Sequence, residues 1–278
     1  MTKFAKKSLG QNFLTSTTVR DDILELLPPH QCQNVLEIGP GLGFLTHQLV
    51  KKAEHLKAVE LDPRAAKQLR ADLEKWKHFE LIEADFLKTD LDSIFDQKKY
   101  SVVGNIPYNI TSPILKKCLA DTKNKPQVMI IMVQKEVAEK ICIDPFKKKP
   151  RRSILGLSVE IFAESEYAFT VDRSFFQPIP GVDSAVMRLT LRDKPLIPPS
   201  LEKAFFTIVQ AGFAERRKKL SNSLARFFGE NMDHICEKAD LEKRAEALEV
   251  EDWKKMAEKW LKSKQEKTKP NLPTSPHK

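Results

Sequence analysis

Four residues that follow an apolar run, Asn105 to Tyr108, have the sequence Asn-Ile-Pro-Tyr. An exocyclic amine on adenine is a poor nucleophile, because its lone pair is delocalised into the ring until acceptors hold its hydrogens out of plane. The Asn105 side-chain carbonyl and the Ile106 backbone carbonyl can be those acceptors, with Pro107 fixing the backbone. Tyr108 offers a flat face for an unstacked base. The pattern predicts chemistry at an amine, and its structural alternative is a strand-to-helix turn.

A glycine-rich turn, EIGPGLG from Glu37 to Gly43, follows an earlier apolar run. Such a turn lets the backbone approach a ligand closely and points helix N–H groups at it. A dinucleotide-binding pattern would need glycine at position 44, which is Phe44 here. The G-x-G-x-G spacing with an acid two residues ahead resembles motif I of S-adenosylmethionine-dependent methyltransferases. A tight turn with no ligand is the alternative.

Two further apolar runs end on acidic residues. Glu60 ends the run in AVELD, where a carboxylate can accept both hydroxyls of a ribose. Asp85 follows the next run, where it can accept from an adenine amine, with Phe86 beside the ring. Either acid alone is ordinarily a solvated residue at a strand end. The glycine-rich turn, Glu60 and Asp85 follow three successive predicted strands, and each offers a group that can bind part of a nucleoside. Together they favour a nucleoside site at the carboxyl edge of a sheet.

The elements that must position these residues alternate in type. Apolar runs begin at Asn34, His55, Phe79, Tyr100 and Val128, with helical patterns between them. This alternation predicts βαβ units and a mostly parallel sheet, and the segments YAFTV and SAVMRLTLR predict an antiparallel hairpin that closes it. The helix after Tyr108 is predicted to be capped by Ser112, with Pro113 in the first helical position.

A second region follows a proline-rich segment. We predict a first domain over 1–192, a linker over 193–200, a helical domain over 201–262 and a disordered lysine-rich tail over 263–278. Trp253, Met256, Ala257 and Trp260 should share one face of the last helix.

Composition limits the class of protein. The 278 residues carry a formal net charge of +9, which suits a polyanionic partner, although a surplus of surface lysine explains it equally well. Four scattered cysteines without metal-ligand spacing predict reduced thiols, no bound metal and a cytoplasmic protein. Neither a signal peptide nor a membrane span is expected.

With these motifs in place, the chain resembles the KsgA-type family of small-subunit ribosomal RNA adenine N6,N6-dimethyltransferases. KKSLGQNFL near the N-terminus, VQKEVAEKI, FFQPIPGVDSAV and GFAERRKKLSNSL match further family motifs in order. The resemblance implies an α/β fold: a Rossmann-like, seven-stranded S-adenosylmethionine-dependent methyltransferase domain with a smaller all-helical C-terminal domain. It implies dimethylation of two adjacent adenines near the 3′ end of 16S rRNA, in the small ribosomal subunit or its precursor, and a role in subunit biogenesis.

The resemblance also assigns residues. It implies that S-adenosylmethionine binds Gln11, Asn12, Leu14, Gly39, Gly41, Glu60, Leu61, Asp85, Phe86 and Asn105. It implies catalysis by Asn105, Ile106, Pro107 and Tyr108, with the target base between Tyr108 and Phe176. The RNA would lie between the domains, and two basic runs are candidate phosphate contacts through Lys147, Lys148, Lys149, Arg151, Arg152, Arg216, Arg217, Lys218 and Lys219. Solvated charged surfaces are the alternative for both runs.

Three other functions stay open at this point. One is methylation of 23S rRNA, as in the antibiotic-resistance branch of the family. Another is a non-catalytic RNA-binding assembly factor that keeps the fold. A nicotinamide-dependent oxidoreductase is disfavoured by Phe44 and by the placement of His47 and His55, which are expected to be structural. A monomer is the default expectation.

Overall fold

A computed structural model of the chain describes residues 10–142, 152–215, 217–229 and 232–268. They form two compact units, Met1–Ile143 with Phe162–Lys194 and Asp144–Ile161 with Pro195–Lys278.

A seven-stranded sheet forms the centre of the first unit. In chain order its strands are β2 (Asn34–Ile38), β3 (His55–Glu60), β4 (Phe79–Glu83), β5 (Ser101–Asn105), β6 (Val128–Gln134), β7 (Ala163–Val171) and β9 (Ser184–Leu191). Their spatial order is β4-β3-β2-β5-β6-β9-β7. The first five strands in that order are parallel, and β9 is antiparallel to both β6 and β7. The predicted parallel sheet and closing hairpin are confirmed.

A second, two-stranded sheet lies in the same unit. It pairs β1 (Phe13–Leu14) with β8 (Phe176–Gln177), antiparallel, with Leu14 opposite Phe176. The turn between the strands of the predicted hairpin therefore contributes a short strand of its own. This small sheet joins Phe13 and Leu14 to the start of the motif FFQPIPGVDSAV.

Helices connect most of the strands. Those of the first unit are α1 (Thr17–Glu25), α2 (Thr46–Lys52), α3 (Pro63–Asp72), α4 (Thr111–Lys116) and α5 (Lys135–Ile141), with a π-helical turn over Lys117–Asp121. Strands β2 and β6 are buried along almost their whole length, because helices and loops cover both sheet faces. One core cluster joins α1, α2 and α3 to residues of the central strands, including Val35 of β2, Val103 of β5 and Ile130 of β6. This packing holds the central strands, and therefore the residues at their carboxyl ends, in fixed positions.

Two local predictions for the first unit were wrong. Ser112 does not cap α4, which begins at Thr111, because a 3-10 turn over Tyr108–Ile110 runs directly into it. The segment between β4 and β5 holds only the 3-10 turn Phe86–Lys88 instead of an α-helix. Aspartates there favour turns, since Asp90 Oδ1 accepts from the Asp92 N–H two residues further on.

The regular elements of the second unit, among its described residues, are all helices joined by loops and turns. Its helices are α6 (Ile154–Phe162), α7 (Pro199–Phe213), α8 (Leu220–Phe228), α9 (Met232–Ile235), α10 (Lys238–Leu241) and α11 (Val250–Thr268). Trp253, Met256 and Ala257 are buried as predicted, and Trp260 packs edge-on against Phe228.

The boundaries of the second unit differ from those read in the sequence. Residues 152–161 belong to this unit although they lie within the predicted first domain. Local bonds explain this, because the Arg152 N–H donates to the Glu246 carbonyl and the Arg152 side chain pairs with Glu249. Helix α7 begins inside the predicted linker.

The predicted disordered tail was also wrong over 263–268, where α11 continues. Lysine, glutamine and glutamate favour helices and extend one that is already anchored by buried residues. Residues 269–278 lie outside the described part of the chain.

The four cysteines are free and buried. Among the described residues, no helix combines the length and apolar character needed to cross a bilayer.

Candidate active site

A cavity of about 370 Å³ opens where four parallel strands end. The turns after β2, β3, β4 and β5 line it together with residues 10–14. Because these strands are parallel and adjacent, their carboxyl ends meet at one edge of the sheet. All of the residues predicted to bind the cofactor line this cavity, as do Ile106, Pro107 and Tyr108. Their contacts with a cofactor stay predictions.

The glycine-rich turn forms one wall of the cavity. Gly39, Gly41 and Gly43 have φ angles of +64°, +55° and +82°, in the left-handed region that favours glycine. A Cβ on Gly39 would meet nothing within 4 Å, so this position faces open space. A Cβ on Gly43 would lie 2.6 Å from Leu69 Cδ1, so that glycine is required for packing. The turn therefore presents bare backbone to a ligand.

Glu60 is buried next to this turn. Its Oε2 accepts from the Gly41 N–H at 2.8 Å and its Oε1 from the Asp62 N–H at 2.8 Å. Burial raises the pKa of Glu60, and these backbone donors oppose the rise. Each carboxylate oxygen has a second lone pair, so both can still accept a hydroxyl hydrogen. The geometry is compatible with the predicted ribose contact.

Asp85 and Phe86 lie after β4. Asp85 Oδ1 accepts from the Leu87 N–H at 2.9 Å, which caps the 3-10 turn, and Phe86 is buried. This cap holds the Asp85 carboxylate at the cavity, where it is half-buried.

Asn105 ends β5, and its amide is oriented by residue 12. Its Nδ2 donates to the Asn12 carbonyl at 3.0 Å. With the amide nitrogen engaged in this way, Oδ1 is the atom that remains to accept from an amine. Pro107 has φ −58° and ψ 131°, and the Ile106 side chain is buried. The side chain at position 106 thus belongs to the core while its backbone lines the cavity.

Tyr108 is fixed through its hydroxyl. The phenol oxygen lies 2.6 Å from Ser184 Oγ, and Ser184 is fully buried at the start of β9. Burial raises the pKa of Tyr108, so its phenol stays protonated at neutral pH. The hydrogen bond thus fixes the position of an uncharged aromatic ring at the cavity.

Phe176 is not brought to the cavity. It is 2% exposed, packs in the core cluster opposite Leu14, and is absent from the cavity lining. Its neighbour Phe175 and Ile179 are exposed on the same segment. A base held between Tyr108 and Phe176 therefore stays a prediction, and it requires this segment to rearrange.

In the sequence, Glu37 was placed in the motif I pattern but was not assigned to the site. Its side chain lines the cavity yet is only 2% exposed, and burial raises its pKa to about 8. The Thr46 hydroxyl faces the carboxyl and lowers the pKa, although its geometry falls short of a hydrogen bond. Oε2 of Glu37 has no hydrogen-bond partner among the described residues. An acid inside the buried run NVLEI was the available signal.

The predicted RNA contacts fall into three groups. Arg152 has a side chain only 11% exposed and pairs with Glu160 and Glu249, so it is tied to its own unit. Lys218 and Lys219 pair with Glu215 and Glu242, and Arg217 is exposed. Lys147, Lys148, Lys149, Arg151 and Arg216 lie outside the described residues.

Comparison with known proteins gives a consistent result. The family model described as ribosomal RNA adenine dimethylase matches residues 2–262. A protein from Oceanobacillus iheyensis described as ribosomal RNA small subunit methyltransferase A is 37% identical over 264 residues, covering 91% of this chain and 89% of that protein. A protein of the same description from Enterococcus faecalis is 36% identical, with coverages of 93% and 91%.

Solved structures agree in fold. The 23S rRNA methyltransferase ErmE superposes with a TM-score of 0.70 at 30% identity, covering 89% of this chain and 99% of that chain. A dimethyladenosine transferase from Plasmodium falciparum gives a TM-score of 0.73 at 23% identity, covering 91% and 98%. The fold is that of a Rossmann-like methyltransferase. On these matches, the chain belongs to the ribosomal RNA adenine dimethylase family.

Proposed function

We propose that this protein uses S-adenosylmethionine to dimethylate the exocyclic amines of two adjacent adenines near the 3′ end of 16S rRNA. The observation that carries the proposal is the NIPY segment at the end of β5, which lies in the same cavity as the glycine-rich turn and the acids after β3 and β4. The substrate would be the small ribosomal subunit or its precursor. The protein would act in the cytoplasm, as a monomer.

The cavity fits the proposed cofactor. Asp85 and Phe86 would hold its adenine, Glu60 its ribose, and the backbone of Gly39 and Gly41 its amino-acid part. The room beside Gly39, where no atom lies within 4 Å of a Cβ position, supports this fit. When bound, S-adenosylmethionine supplies an electrophilic methyl group.

The chain's own part in the reaction is positioning. Asn105 Oδ1 and the Ile106 carbonyl would accept the amine hydrogens and leave the nitrogen lone pair free to attack. Tyr108 would hold the base flat. The cofactor would supply the methyl group to the amine nitrogen with its sulfur as the leaving group, and the proton of the product ammonium would pass to water. No basic side chain is needed for this step.

A second candidate is methylation of 23S rRNA, favoured by the 30% identity to ErmE over most of this chain. The similar small-subunit methyltransferases are 36–38% identical over comparable lengths. These identities, together with GFAERRKKLSNSL near the C-terminus, favour the small subunit.

The deciding experiment measures transfer of radiolabelled methyl from S-adenosylmethionine to purified small subunits that lack adenine dimethylation, with large subunits in parallel. We expect label only on adenines of the small-subunit RNA. Label on large-subunit RNA would support the second candidate. Absence of label on both, with RNA binding retained, would support a non-catalytic assembly factor.

A further inference from the structure

One lysine ties the turn that would hold the adenine of the cofactor to a different part of the fold. Lys117 is the first residue of the π-helical turn after α4, and its Nζ donates to the Leu87 carbonyl at 3.0 Å. Leu87 lies in the 3-10 turn Phe86–Lys88 and lines the cavity. Neither the sequence motifs nor the proposed reaction gives Lys117 a role.

Leu87 carries the effect of this contact to Asp85. The Leu87 N–H donates to Asp85 Oδ1 at 2.9 Å, while its carbonyl accepts from Lys117. The N–H groups of Lys88 and Thr89 donate back to the Asp85 carbonyl, so they shape the turn from within. The Lys117 bond comes from outside the turn, and it therefore fixes where the turn and its Asp85 carboxylate stand relative to the cavity.

The surroundings of Lys117 indicate that this contact is specific. Lys117 is half-buried, and Cys118 next to it is fully buried. The ammonium of a half-buried lysine needs an acceptor, and the Leu87 carbonyl supplies one. The preceding residue, Lys116, has a side chain that is 71% exposed and pairs with Asp121. Of these two adjacent lysines, Lys117 is the one directed at the turn.

Lys117 lies where the helix geometry changes. π-helical turns are rare and occur mostly as single turns within α-helices, frequently at functional sites. The turn over Lys117–Asp121 follows α4, which begins at Thr111 directly after the 3-10 turn Tyr108–Ile110. The Lys117 bond therefore connects the turn assigned to adenine with the helix that follows the NIPY segment.

We propose that Lys117 is a positioning residue, which holds Asp85 against the adenine of S-adenosylmethionine and so sets the preference of the site for adenine over other purines. This inference rests on the proposed function, because it takes S-adenosylmethionine as the ligand. Lys117 touches none of the reacting atoms. Its loss should therefore affect cofactor binding and leave the chemical step unchanged.

The test compares S-adenosylhomocysteine with S-inosylhomocysteine by isothermal titration calorimetry. The two ligands differ at the exocyclic group of the purine, where inosine carries an oxygen in place of the amine. That oxygen cannot donate to the Asp85 carboxylate, so the wild type should bind the adenine ligand more tightly. The ratio of the two affinities measures the Asp85 contact separately from the rest of the cofactor.

Lys117→Met keeps most of the aliphatic stem and removes the ammonium. It should lower the ratio of affinities about three- to tenfold, because the turn that carries Asp85 is no longer held. The KM for S-adenosylmethionine should rise, while kcat at saturating cofactor stays within about twofold of the wild type. Lys117→Arg keeps the charge and the donors, and it should restore most of the ratio.

The matched control is Lys116→Met, which removes an exposed ammonium from the neighbouring position and should leave the ratio, KM and kcat unchanged. Amide hydrogen exchange in the ligand-free protein gives a second readout. Exchange at Leu87 should be faster in Lys117→Met than in the wild type, and unchanged in Lys116→Met. If Lys117→Met does not fold, Lys117→Gln, which is shorter and uncharged, takes its place.

Each contrary result has a distinct meaning. An unchanged ratio for Lys117→Met, or an equal fall for Lys116→Met, overturns the inference and leaves the proposed function intact. A fall in kcat without a rise in KM also overturns it, because the effect would then lie in the chemical step. Absence of binding by both ligands to the wild type overturns the inference and the proposed cofactor together.

Discussion

At the scale of single residues, the proposed chemistry depends on how one amide is oriented. The Asn105 Nδ2 donates to the Asn12 carbonyl, which leaves Oδ1 as the acceptor for a substrate amine. A backbone carbonyl can only accept, so this bond fixes which end of the amide faces the amine. Asn12, which is predicted to bind the cofactor, therefore also orients the amide of Asn105, the side chain to which we assign catalysis.

Asn105→Ala removes that acceptor. We expect methyl transfer to fall by about 100-fold or more, because the amine loses its orientation, while binding to the small subunit is retained. Single-turnover methylation and a filter-binding assay measure the two effects. Gln68→Ala, which removes an exposed amide on α3 outside the cavity lining, is the matched control. Near-normal turnover by Asn105→Ala would contradict the assigned role.

The Tyr108 hydroxyl and Ser184 should act as one unit. Tyr108→Phe and Ser184→Ala each remove the 2.6 Å bond that fixes the ring, and each should lower kcat/KM several-fold. The double variant should lose no more than either single variant, with a coupling free energy of about 1 kcal/mol. Tyr167→Phe is the control, because it removes an exposed hydrogen bond between the hydroxyls of Tyr167 and Thr170 on β7. Additive losses would show that the bond does not position the ring.

Glu37 makes stability depend on pH. Its folded pKa of about 8 lies above the ordinary value of 4.5, so the folded state holds more protons than the unfolded chain between these values. Stability therefore falls as pH rises from about 5 to 8. Glu37→Gln should flatten this decline in thermal unfolding experiments without cofactor. Parallel curves for the variant and the wild type would contradict the raised pKa.

At the scale of elements, the strand ends were predictable and their polar contacts were not. Apolar runs located β2 to β6, and parallel topology then brought Gly39, Glu60, Asp85 and Asn105 to one edge. The bond between Asn105 and Asn12 joins residues that are 93 positions apart in the sequence, so no local pattern reveals it.

The burial of Phe176 could not be predicted from the sequence either. Phe176 was expected beside the base, but its pairing with Leu14 turns it into the core. A sequence motif shows which residues are adjacent along the chain. Whether the Phe176 side chain is buried depends on the pairing of β8 with β1, which the motif does not contain.

Helix packing in the second unit depends on a glycine. A Cβ at Gly212 of α7 would clash with the buried Trp253 ring of α11 and lie 2.9 Å from Leu220 Cδ1. Gly212→Ala should therefore lower the free energy of unfolding by about 1–3 kcal/mol, measured by chemical denaturation. Gln210→Ala, on the exposed face of α7, should have little effect. Equal stability of the two variants would show that the helices can separate without cost.

At the scale of the whole molecule, the net charge of +9 favours binding to a polyanion. The structure indicates which basic side chains could contact a polyanion. Arg152 forms ion pairs within its own unit, whereas Arg217 is exposed. Sequence alone counts basic residues without showing which of them are already neutralised by a neighbour.

Arg217 should contribute one phosphate contact. Arg217→Ala is expected to weaken binding to the small subunit and to reduce the slope of log affinity against log salt by about one. Lys98→Ala is the control, since Lys98 is exposed just before β5, at the edge of the sheet opposite the cavity. A salt slope unchanged from the wild type would place the RNA elsewhere on the protein.

The small sheet of β1 and β8 has a consequence for how this protein is assayed. Strand β1 continues from Gln11 and Asn12 at the cofactor cavity, and β8 carries Phe176 of the segment assigned to the base. A shift in either strand is passed to the other through shared backbone hydrogen bonds. We therefore expect the affinities for the methyl donor and for RNA to depend on each other, so that each should be measured at a stated concentration of the other ligand.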